Sequence, residues 1–442
     1  MLIRAVIKNY YSIGEELEFN LLPEPYKKTH PDHIYQDKRV RLLKASAIYG
    51  ANGAGKSNFI SSLRLLKDIV SGAFEIPDKT TLIENRLLSG FRQEPVHLEV
   101  EFSYLGYYLA YELEFKDGVI VSESLYELGF EKEDVLVYER GYDSRTEKIW
   151  ITPGDKFFTS AKEKMLLSLL TDNLLSPKKP VLTMAEVLKN ELVSAAKEWF
   201  DKGLEVVFPM TKFTTLVPSL TDEEFSGFAN DVLKSFDTGI SKLDVRILPL
   251  EQSGLSLQVV NRIRERLESS PETKLIVAED GTLAERRDGK DIVLKPQTHH
   301  LDDQGHDVSF DLFDESDGSQ RLIQYIPVLR SLMTEEKTIF IDEIERSIHP
   351  SLLKALITKI LSEGDRLKGQ IVFTTHECNL LDMNILRPDE IWFVEKSDSG
   401  STSMYPLTDF DVRQDLDIEK GYLRGRFGAI PFIGNLRDLR WK

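Results

Sequence analysis

A glycine-rich segment constrains this chain more than any other stretch of its sequence. The segment Gly50-Ala51-Asn52-Gly53-Ala54-Gly55-Lys56-Ser57 matches the pattern G-x-x-x-x-G-K-[ST] at every position. An apolar run that reads as a buried strand precedes it, and a segment with helical apolar spacing follows it from Asn58. When a strand, a glycine-rich loop and a helix follow one another, the backbone N–H groups of the loop and the positive end of the helix point at the same phosphate oxygens. We therefore predict that residues 50–58 hold a nucleotide's phosphates, with Lys56 on the β- and γ-phosphates and Ser57 on Mg²⁺. The alternative is a glycine-rich turn that arose by chance.

Composition and charge restrict the class of protein. The 442 residues are 41% hydrophobic and 29% charged, which suits an ordinary globular protein of two or three domains. The single cysteine, Cys378, excludes an intrachain disulfide and suits a reducing compartment. The sequence shows no signal peptide and no apolar run of about 18 residues, so we expect a cytoplasmic protein that does not enter a membrane. The net charge of −17 argues against a general attraction to DNA or RNA, although a local basic groove remains open.

The periodicity of the apolar residues divides the chain into three parts. Residues 1–153 alternate in the manner of strands, and within them residues 96–138 read as an antiparallel meander with glycine-containing turns. From residue 154 to residue 271 the apolar spacing is mostly helical, so we predict a helical insertion that makes partner or dimer contacts. Strands return after this point, and residues 272–442 are predicted to form the second lobe of the domain that begins at the N-terminus.

A second group of candidate residues follows two further apolar strands. The run Thr338–Ile341 ends in Asp342 and Glu343, which is the form of a Walker B strand. Asp342 is predicted to hold Mg²⁺, directly or through water, and Glu343 to orient or deprotonate the attacking water. The next strand, residues 370–375, ends in His376, at the place where a sensor of the γ-phosphate would stand. The alternatives are a surface strand that ends in acids by chance and a histidine with a structural role.

A second possible anion-binding nest lies before this strand. Ser316 can cap a helix that starts near Gly318, and the apolar spacing from Leu322 onward is helical. One chain cannot direct both nests at one γ-phosphate, so a partner copy would have to supply the second. A dimer is therefore the smallest assembly that can use both nests.

The polar loop of residues 23–40 contains His30, Asp32 and His33. A metal site is conceivable there. We favour a solvated loop, since no carboxylate or cysteine framework surrounds the two histidines in the sequence.

The order of these motifs resembles the ABC-type ATPase heads. The resemblance is closer to the soluble branch related to SMC and Rad-type repair ATPases, and within it to the RloA-like AAA-type ATPases of bacterial phage-defence (abortive infection) systems. The segments that carry it are residues 50–57, 315–322 and 341–350, and Gly425–Pro431 also fits. The sequence departs from the family pattern at Tyr11, because related repair heads often have Arg or Lys at this position. The resemblance implies an α/β fold, an ABC/SMC-type P-loop NTPase head with a mixed sheet, an antiparallel β meander and a helical insertion domain.

The resemblance also implies ligands, partners and site residues. The ligands are ATP and Mg²⁺, and two heads close face to face around ATP, alone or within a higher symmetric oligomer. Ser316 and Gly318, with Gln320 beside them, would contact the ATP bound by the other subunit. Gln93 is the candidate for the glutamine that reaches Mg²⁺. Asp317 is a departure, because transporter signatures have a glycine at that place.

The function implied by the resemblance is that of an ATP-hydrolysing subunit. It would control a separate effector, such as a nuclease or toxin, in anti-phage defence, with a phage protein as trigger. The alternative is a DNA-repair-type, SMC-like ATPase that acts on DNA directly, which the acidity and the lack of long heptad runs disfavour. A scaffold that binds ATP without hydrolysis and a transporter subunit are further alternatives, and intact Lys56, Glu343 and His376 argue against the scaffold.

Overall fold

The computed structural model describes residues 1–430 except 28, 38, 159, 212–214, 237, 271, 279 and 413–416. The chain divides into two units. Unit 1 consists of Met1–Phe208, Thr334–Ile344 and Ile357–Lys442, and unit 2 consists of Pro209–Met333 and Glu345–Leu356. Among the described residues, no helix is long and apolar enough to cross a membrane.

A six-stranded, mainly parallel sheet lies in unit 1. In spatial order its strands are β11 (Leu204–Val207), β17 (Thr338–Ile341), β18 (Gln370–Thr375), β5 (Ala45–Gly50), β19 (Ile391–Lys396) and β20 (Thr402–Pro406). The central strand β5 is buried along its whole length, as expected for a strand covered on both faces, and it pairs in parallel with β18 and β19. The edge strand β20 runs antiparallel to β19.

The second large sheet of unit 1 has seven antiparallel strands. In spatial order they are β10 (Lys148–Pro153), β9 (Val135–Asp143), β8 (Val119–Glu127), β7 (Tyr107–Lys116), β6 (Val96–Tyr104), β1 (Leu2–Lys8) and β2 (Leu17–Asn20). Residues 105–106 and 117–118, which join β6 to β7 and β7 to β8, have positive φ, as two-residue hairpin turns require. The predicted meander is confirmed.

Helix α1 joins the two sheets into one apolar core. The α-helices of the described chain are α1 (Lys56–Ser71), α2 (Ala161–Leu169), α3 (Ala185–Leu188), α4 (Glu191–Glu198), α5 (Leu216–Leu220), α6 (Glu223–Ser235), α7 (Leu257–Ser269), α8 (Asp317–Thr334), α9 (Pro350–Ser362) and α10 (Ile418–Leu423). Phe19 of β2 lies 5.2 Å from Phe59 of α1 and 5.0 Å from Trp392 of β19, measured between ring centroids. Between the sheets, the Gln370 carboxamide accepts the Leu2 N–H at 2.7 Å and donates to the Leu2 carbonyl at 3.0 Å. The core therefore sets the direction in which α1 leaves the phosphate loop.

Unit 2 contains a smaller antiparallel sheet. Its strands are β12 (Lys242–Pro249), β13 (Leu275–Ile276), β14 (Leu283–Arg287), β15 (Lys290–Leu301) and β16 (Asp307–Asp311). The long strand β15 pairs with β12 on one side and with β14 and β16 in succession on the other. Phe225 of α6 and Leu322 of α8 belong to one apolar cluster within this unit.

The prediction of a helical insertion over residues 154–271 is only partly right. Helices α2, α4, α6 and α7 lie within it, but so do β11 and β12. The short strand β11 pairs in parallel with β17 and so belongs to the sheet of unit 1. Its four residues are too few for their period to be told from that of a helix. The units also divide at residues 208/209 and 333/334, away from the predicted limits at 153/154 and 271/272.

The described part of the polar segment 23–40 is hydrogen-bonded to the segment before β19. Its strand β3 (Ile34–Gln36) forms a short antiparallel ribbon with β4 (Arg41–Leu43), which follows the segment. His33 is 3% exposed, and its Nδ1 lies 3.0 Å from Glu390 Oε1. The fully buried Arg387 donates to the Thr29 carbonyl. The interpretation of this stretch as a solvated loop is therefore wrong for His33, because its carboxylate partner comes from a distant part of the chain.

Residues 425–430 of the C-terminal motif Gly425–Pro431 pack against β19 and β20, and Pro431 lies outside the described residues. The Phe427 ring stacks on Phe393 of β19, with 5.6 Å between the centroids. Gly428 has a φ of 67°, and a Cβ there would lie 2.5 Å from the hydroxyl of Tyr405. The described part of the motif thus covers aromatic side chains of β19 and β20.

Candidate nucleotide-binding site

The phosphate loop leads from the end of β5 into α1, and close contacts require glycine at its two ends, Gly50 and Gly55. A Cβ on Gly50 would lie 2.3 Å from the Val394 carbonyl oxygen of β19. Gly55 has a φ of 116°, and a Cβ there would lie 2.2 Å from Thr402 Oγ1. The same Thr402 hydroxyl donates to the Ala54 carbonyl at 2.7 Å. The shape of the loop is therefore supported by β19 and β20, which are distant from it in the sequence.

Lys56 is buried at the base of this loop. Its Nζ donates to the Gly50 carbonyl at 2.6 Å and to the Ala51 carbonyl at 3.2 Å. Nζ also lies 3.2 Å from Nε2 of His376, which is exposed at the end of β18. Because an ammonium group only donates, Nε2 accepts here and the proton of the neutral ring stays on Nδ1. A phosphate oxygen that reaches Lys56 would replace some of these bonds.

The ends of β17 and β18 hold two carboxylates at one edge of the sheet. The Thr374 hydroxyl donates to Asp342 Oδ1 at 2.7 Å and accepts the Glu343 N–H at 2.8 Å. Glu343 has a φ of 50°, a left-handed conformation that residues other than glycine seldom adopt. The backbone of Thr374 also accepts the Ile344 N–H at 3.1 Å. Thr374 therefore holds the Asp342 carboxylate and the backbone at Glu343, and the sequence analysis did not single it out.

A cavity of about 270 Å³ opens over the loop. Its lining residues are Ala51, Asn52, Gly53, Ala54, Gly55, Lys56, Ser57, Asn58, Glu343 and His376. The structure thus brings Glu343 and His376 to the predicted phosphate loop. Such a cavity, with backbone donors and one lysine on one side and a carboxylate on the other, can hold a triphosphate chain next to a water molecule.

The residues predicted for Mg²⁺ have suitable chemistry. Ser57 is exposed at the start of α1 and lines the cavity. Asp342 is buried and does not line the cavity. Within the described chain its Oδ2 accepts no hydrogen bond. Hydroxyl and carboxylate oxygens are the ligands that Mg²⁺ prefers, so this donor pair fits that ion, with water between Asp342 and the cation.

A second cavity of about 500 Å³ shares one residue with the first. It is lined by Tyr11, Ser12, Asn58, Glu84, Arg86, Leu87 and Lys396. Asn58, the shared residue, donates from Nδ2 to Ser12 Oγ at 2.6 Å. The Tyr11 side chain is 40% exposed at a turn with a φ of 47°, and its ring packs edge-on against Tyr10. The sequence analysis missed this cavity, although an aromatic pair in the turn after β1 was its available signal.

The other predicted site residues lie elsewhere. Gln93 ends a short 3-10 helix, is exposed, and does not line either cavity. The cavity linings thus give its predicted role as a Mg²⁺ ligand no support.

Ser316, Gly318 and Gln320 belong to unit 2. Ser316 Oγ accepts the Ser319 N–H at 3.2 Å, so it caps α8 as predicted, and Gln320 Nε2 donates to the Glu315 carbonyl at 2.8 Å. A Cβ on Gly318 would lie 2.8 Å from a backbone carbonyl oxygen of the same unit.

One family model matches most of the chain. It carries the description "AAA domain, putative AbiEii toxin, Type IV TA system" and matches residues 45–382. No curated protein matches the chain at a significant level.

Among solved structures, similar chains include SMC heads. An SMC head bound to the C-terminal winged-helix domain of ScpA is 12% identical, with a TM-score of 0.43, over 92% of this chain and 97% of that one. The SMC head domain from Thermotoga maritima is 12% identical, with a TM-score of 0.38, over 92% of this chain and 98% of that one. Similarities of this strength carry no assignment of activity or partner.

Proposed function

Because the chain belongs to this AbiEii-type AAA-domain family, we propose that it binds ATP with Mg²⁺ over the phosphate loop and hydrolyses it. The observation that carries the proposal is the meeting of the loop, Glu343 and His376 around one cavity of about 270 Å³. The chain has the fold of an ABC/SMC-type P-loop NTPase, with the loop between the central strand β5 and helix α1.

In this mechanism the loop binds the triphosphate through its N–H groups and the positive end of α1. Lys56 turns from the Gly50 carbonyl to the β- and γ-phosphates, and its contact with His376 is then exchanged for one with phosphate. Glu343, fixed by Thr374, accepts the proton of the attacking water. Mg²⁺, held by Ser57 and through water by Asp342, would neutralise charge on the β- and γ-phosphates.

The second cavity is proposed to take the nucleoside. It continues from the phosphate cavity at Asn58, so a nucleotide whose phosphates lie on the loop can extend into it. Tyr11 offers an exposed ring for stacking on a base. Lys396 and Arg86 line the same cavity and can donate hydrogen bonds to the nucleoside.

We further propose that two copies close around ATP and that this movement controls a separate effector in anti-phage defence. The exposed Ser316 and the adjacent Gly318 at the start of α8 are suited to contact the ATP bound by the partner copy. The toxin named in the family's description supports an effector output. The net charge of −17 supports a protein partner more than DNA.

The first test compares three variants of the full chain for ATP binding and phosphate release. Lys56→Ala should lose ATP binding, and Glu343→Gln should bind ATP but hydrolyse it at least about a hundredfold more slowly. Glu335→Gln, an exposed carboxylate next to the other end of β17, is the matched control and should keep the wild-type rate. Wild-type turnover in Glu343→Gln would refute the assignment of the catalytic base.

A second test concerns assembly and output. With ATP and Mg²⁺, Glu343→Gln should accumulate as a closed dimer or higher oligomer, and adding Ser316→Arg should block closure while ATP still binds. Glu343→Gln isolated with ATP from its native cell should carry a stoichiometric nuclease-like or toxin-like protein. Recovery of DNA without such a protein would contradict effector control and favour a DNA-acting ATPase.

A further inference from the structure

Two histidines and a carboxylate meet in unit 1, outside both cavities. One ligand atom each from His30, Asp32 and His33 lies within 4.8 Å of the others. The centroids of the two imidazole rings are 4.8 Å apart. His33 is almost fully buried, while His30 and Asp32 are half-buried. Asp32 and His33 lie within a single turn of 3-10 helix, Pro31–His33, which leads into β3, and His30 immediately precedes this turn.

The hydrogen bonds of the two rings determine which nitrogens can bind a ligand. His33 Nδ1 lies 3.0 and 3.2 Å from the two carboxylate oxygens of Glu390, and His30 Nε2 lies 2.9 Å from the Met383 carbonyl. A carboxylate and a carbonyl accept, so these two nitrogens carry the protons. His33 Nε2 and His30 Nδ1 therefore keep their lone pairs, and neither has a hydrogen-bond partner in the described chain.

This arrangement is the one that metal-bound histidines show, with the second nitrogen donating to a carboxylate or a backbone carbonyl. Glu390 is itself held, because its Oε2 accepts the Arg387 N–H at 2.7 Å. Second partners of this kind fix the tautomer of each ring before an ion arrives.

The Asp32 carboxylate is free to act as a third ligand. No described residue donates a hydrogen bond to it, and the nearby Lys44 donates instead to the backbone carbonyls of Asp32 at 3.1 Å and Gly364 at 2.8 Å. A Cβ on Gly364 would come within 2.9 Å of Asp32 Oδ2, so the glycine leaves room beside the carboxylate. His30 has a φ of 45°, a conformation unusual for a residue other than glycine.

We propose that His30 Nδ1, His33 Nε2 and an Asp32 carboxylate oxygen bind a divalent transition-metal ion of the Zn²⁺ type, with water as the fourth ligand. Two imidazoles and one carboxylate suit Zn²⁺, whereas Mg²⁺ and Ca²⁺ prefer oxygen ligands alone. Around a tetrahedral ion the ligand atoms must approach to about 3.4 Å, so side-chain rotation has to close the remaining gap. The ion would hold its three ligands together within the polar segment of residues 23–40, and the hydrogen bond from His33 to Glu390 would connect this site to the segment before β19.

A second histidine grouping in unit 1, His97 with Glu112 and Glu114, leaves no ring nitrogen with a lone pair for a metal ion. His97 Nδ1 lies 3.2 Å from Glu114 Oε1, and Nε2 lies 3.7 Å from Glu99 Oε2. Burial alone would lower the pKa of His97, but the hydrogen bonds to Glu114 and Glu99 raise it to about 9. A protonated ring whose nitrogens both face carboxylates offers no lone pair to a metal ion.

The test is Co²⁺ titration of the full chain after removal of metal by a chelator. The wild-type chain should bind one equivalent and develop a visible absorption band of tetrahedral Co²⁺, and added Zn²⁺ should abolish the band and raise the melting temperature. His30→Ala and Asp32→Asn, both at half-buried positions, should each weaken binding by about tenfold or more. His306→Ala removes an exposed histidine that also pairs with an aspartate, and it should bind like wild type.

Three results would overturn the proposal. One is the absence of a tetrahedral band at saturating Co²⁺, and another is unchanged affinity in either His30→Ala or Asp32→Asn. The third is loss of the band in Asp342→Asn, which would place the ion at the nucleotide site. Since the readouts are absorption and melting, they are independent of ATP hydrolysis.

Discussion

Replacing Thr374 by valine tests how the Asp342 carboxylate and the backbone at Glu343 are held. Valine keeps the shape of the buried side chain but removes the hydroxyl that bonds Asp342 at 2.7 Å and Glu343 at 2.8 Å. Loss of a hydrogen bond to a carboxylate costs about 1.5–3 kcal/mol, and an unpaired N–H costs about 1–3 kcal/mol. Burial of one additional methyl offsets about 0.8 kcal/mol. We expect a net loss of about 3 kcal/mol in the free energy of unfolding of unit 1.

Urea unfolding followed by tryptophan fluorescence measures this loss. The tryptophans of the described chain all lie in unit 1: Trp150, Trp199 and Trp392. Thr375→Val is the matched control, because the Thr375 hydroxyl accepts a single neutral N–H, from Glu377 at 3.0 Å, and its loss should cost about 1 kcal/mol. Thr374→Ser keeps the hydroxyl and should retain both stability and turnover. The reasoning fails if Thr374→Val is no less stable than Thr375→Val and still releases phosphate at the wild-type rate.

Three further changes probe other parts of unit 1. Gly55→Ala should abolish ATP binding, since its Cβ would meet Thr402 Oγ1 at 2.2 Å, and retained binding in a filter assay would disprove this. His97 has a pKa raised to about 9, so its protonated ring stabilises the fold fully below about pH 6.5 and the effect is lost as the pH rises through 9. His97→Gln should therefore lower the free energy of unfolding in urea more at pH 6 than at pH 10, by at most about 3 kcal/mol. An equal loss at both pH values would count against the ion pairs. Arg387→Met should cost about 3–5 kcal/mol, because it leaves the buried Asp389 carboxylate without its partner at 2.7 Å, and a melting temperature within one degree of wild type would contradict it.

The parts of the fold that the sequence predicted are those with short-range patterns. The meander alternates over many residues and has turns of its own, so β6, β7 and β8 could be located to within about two residues. The last strand, β9, extends five residues beyond the predicted end at residue 138. The phosphate loop and the ends of β17 and β18 also follow from local patterns, and the strand order then brings Glu343 and His376 to the loop.

The parts that could not be predicted depend on partners far apart in the chain. Thr402 supports the phosphate loop at Ala54, and Glu390 orients His33. Neither contact produces a periodic pattern of apolar residues in the sequence around the residues that make it. The four-residue strand β11 lies within the predicted helical insertion and was not recognised as a strand for a related reason, since its place in the sheet depends on β17 rather than on its own sequence.

The position of β5 in its sheet has a consequence for the synthesis of this chain. Both neighbours of β5, which are β18 and β19, come from the last quarter of the sequence. At about 5–20 residues per second, the nascent β5 waits on the order of tens of seconds with both of its hydrogen-bonding edges open. The meander, by contrast, pairs strands that leave the ribosome one after another. A fragment that ends before β18 would therefore contain the complete glycine-rich motif and yet lack the strands that shape it, so the motif alone, in a shortened chain, would not indicate a formed site.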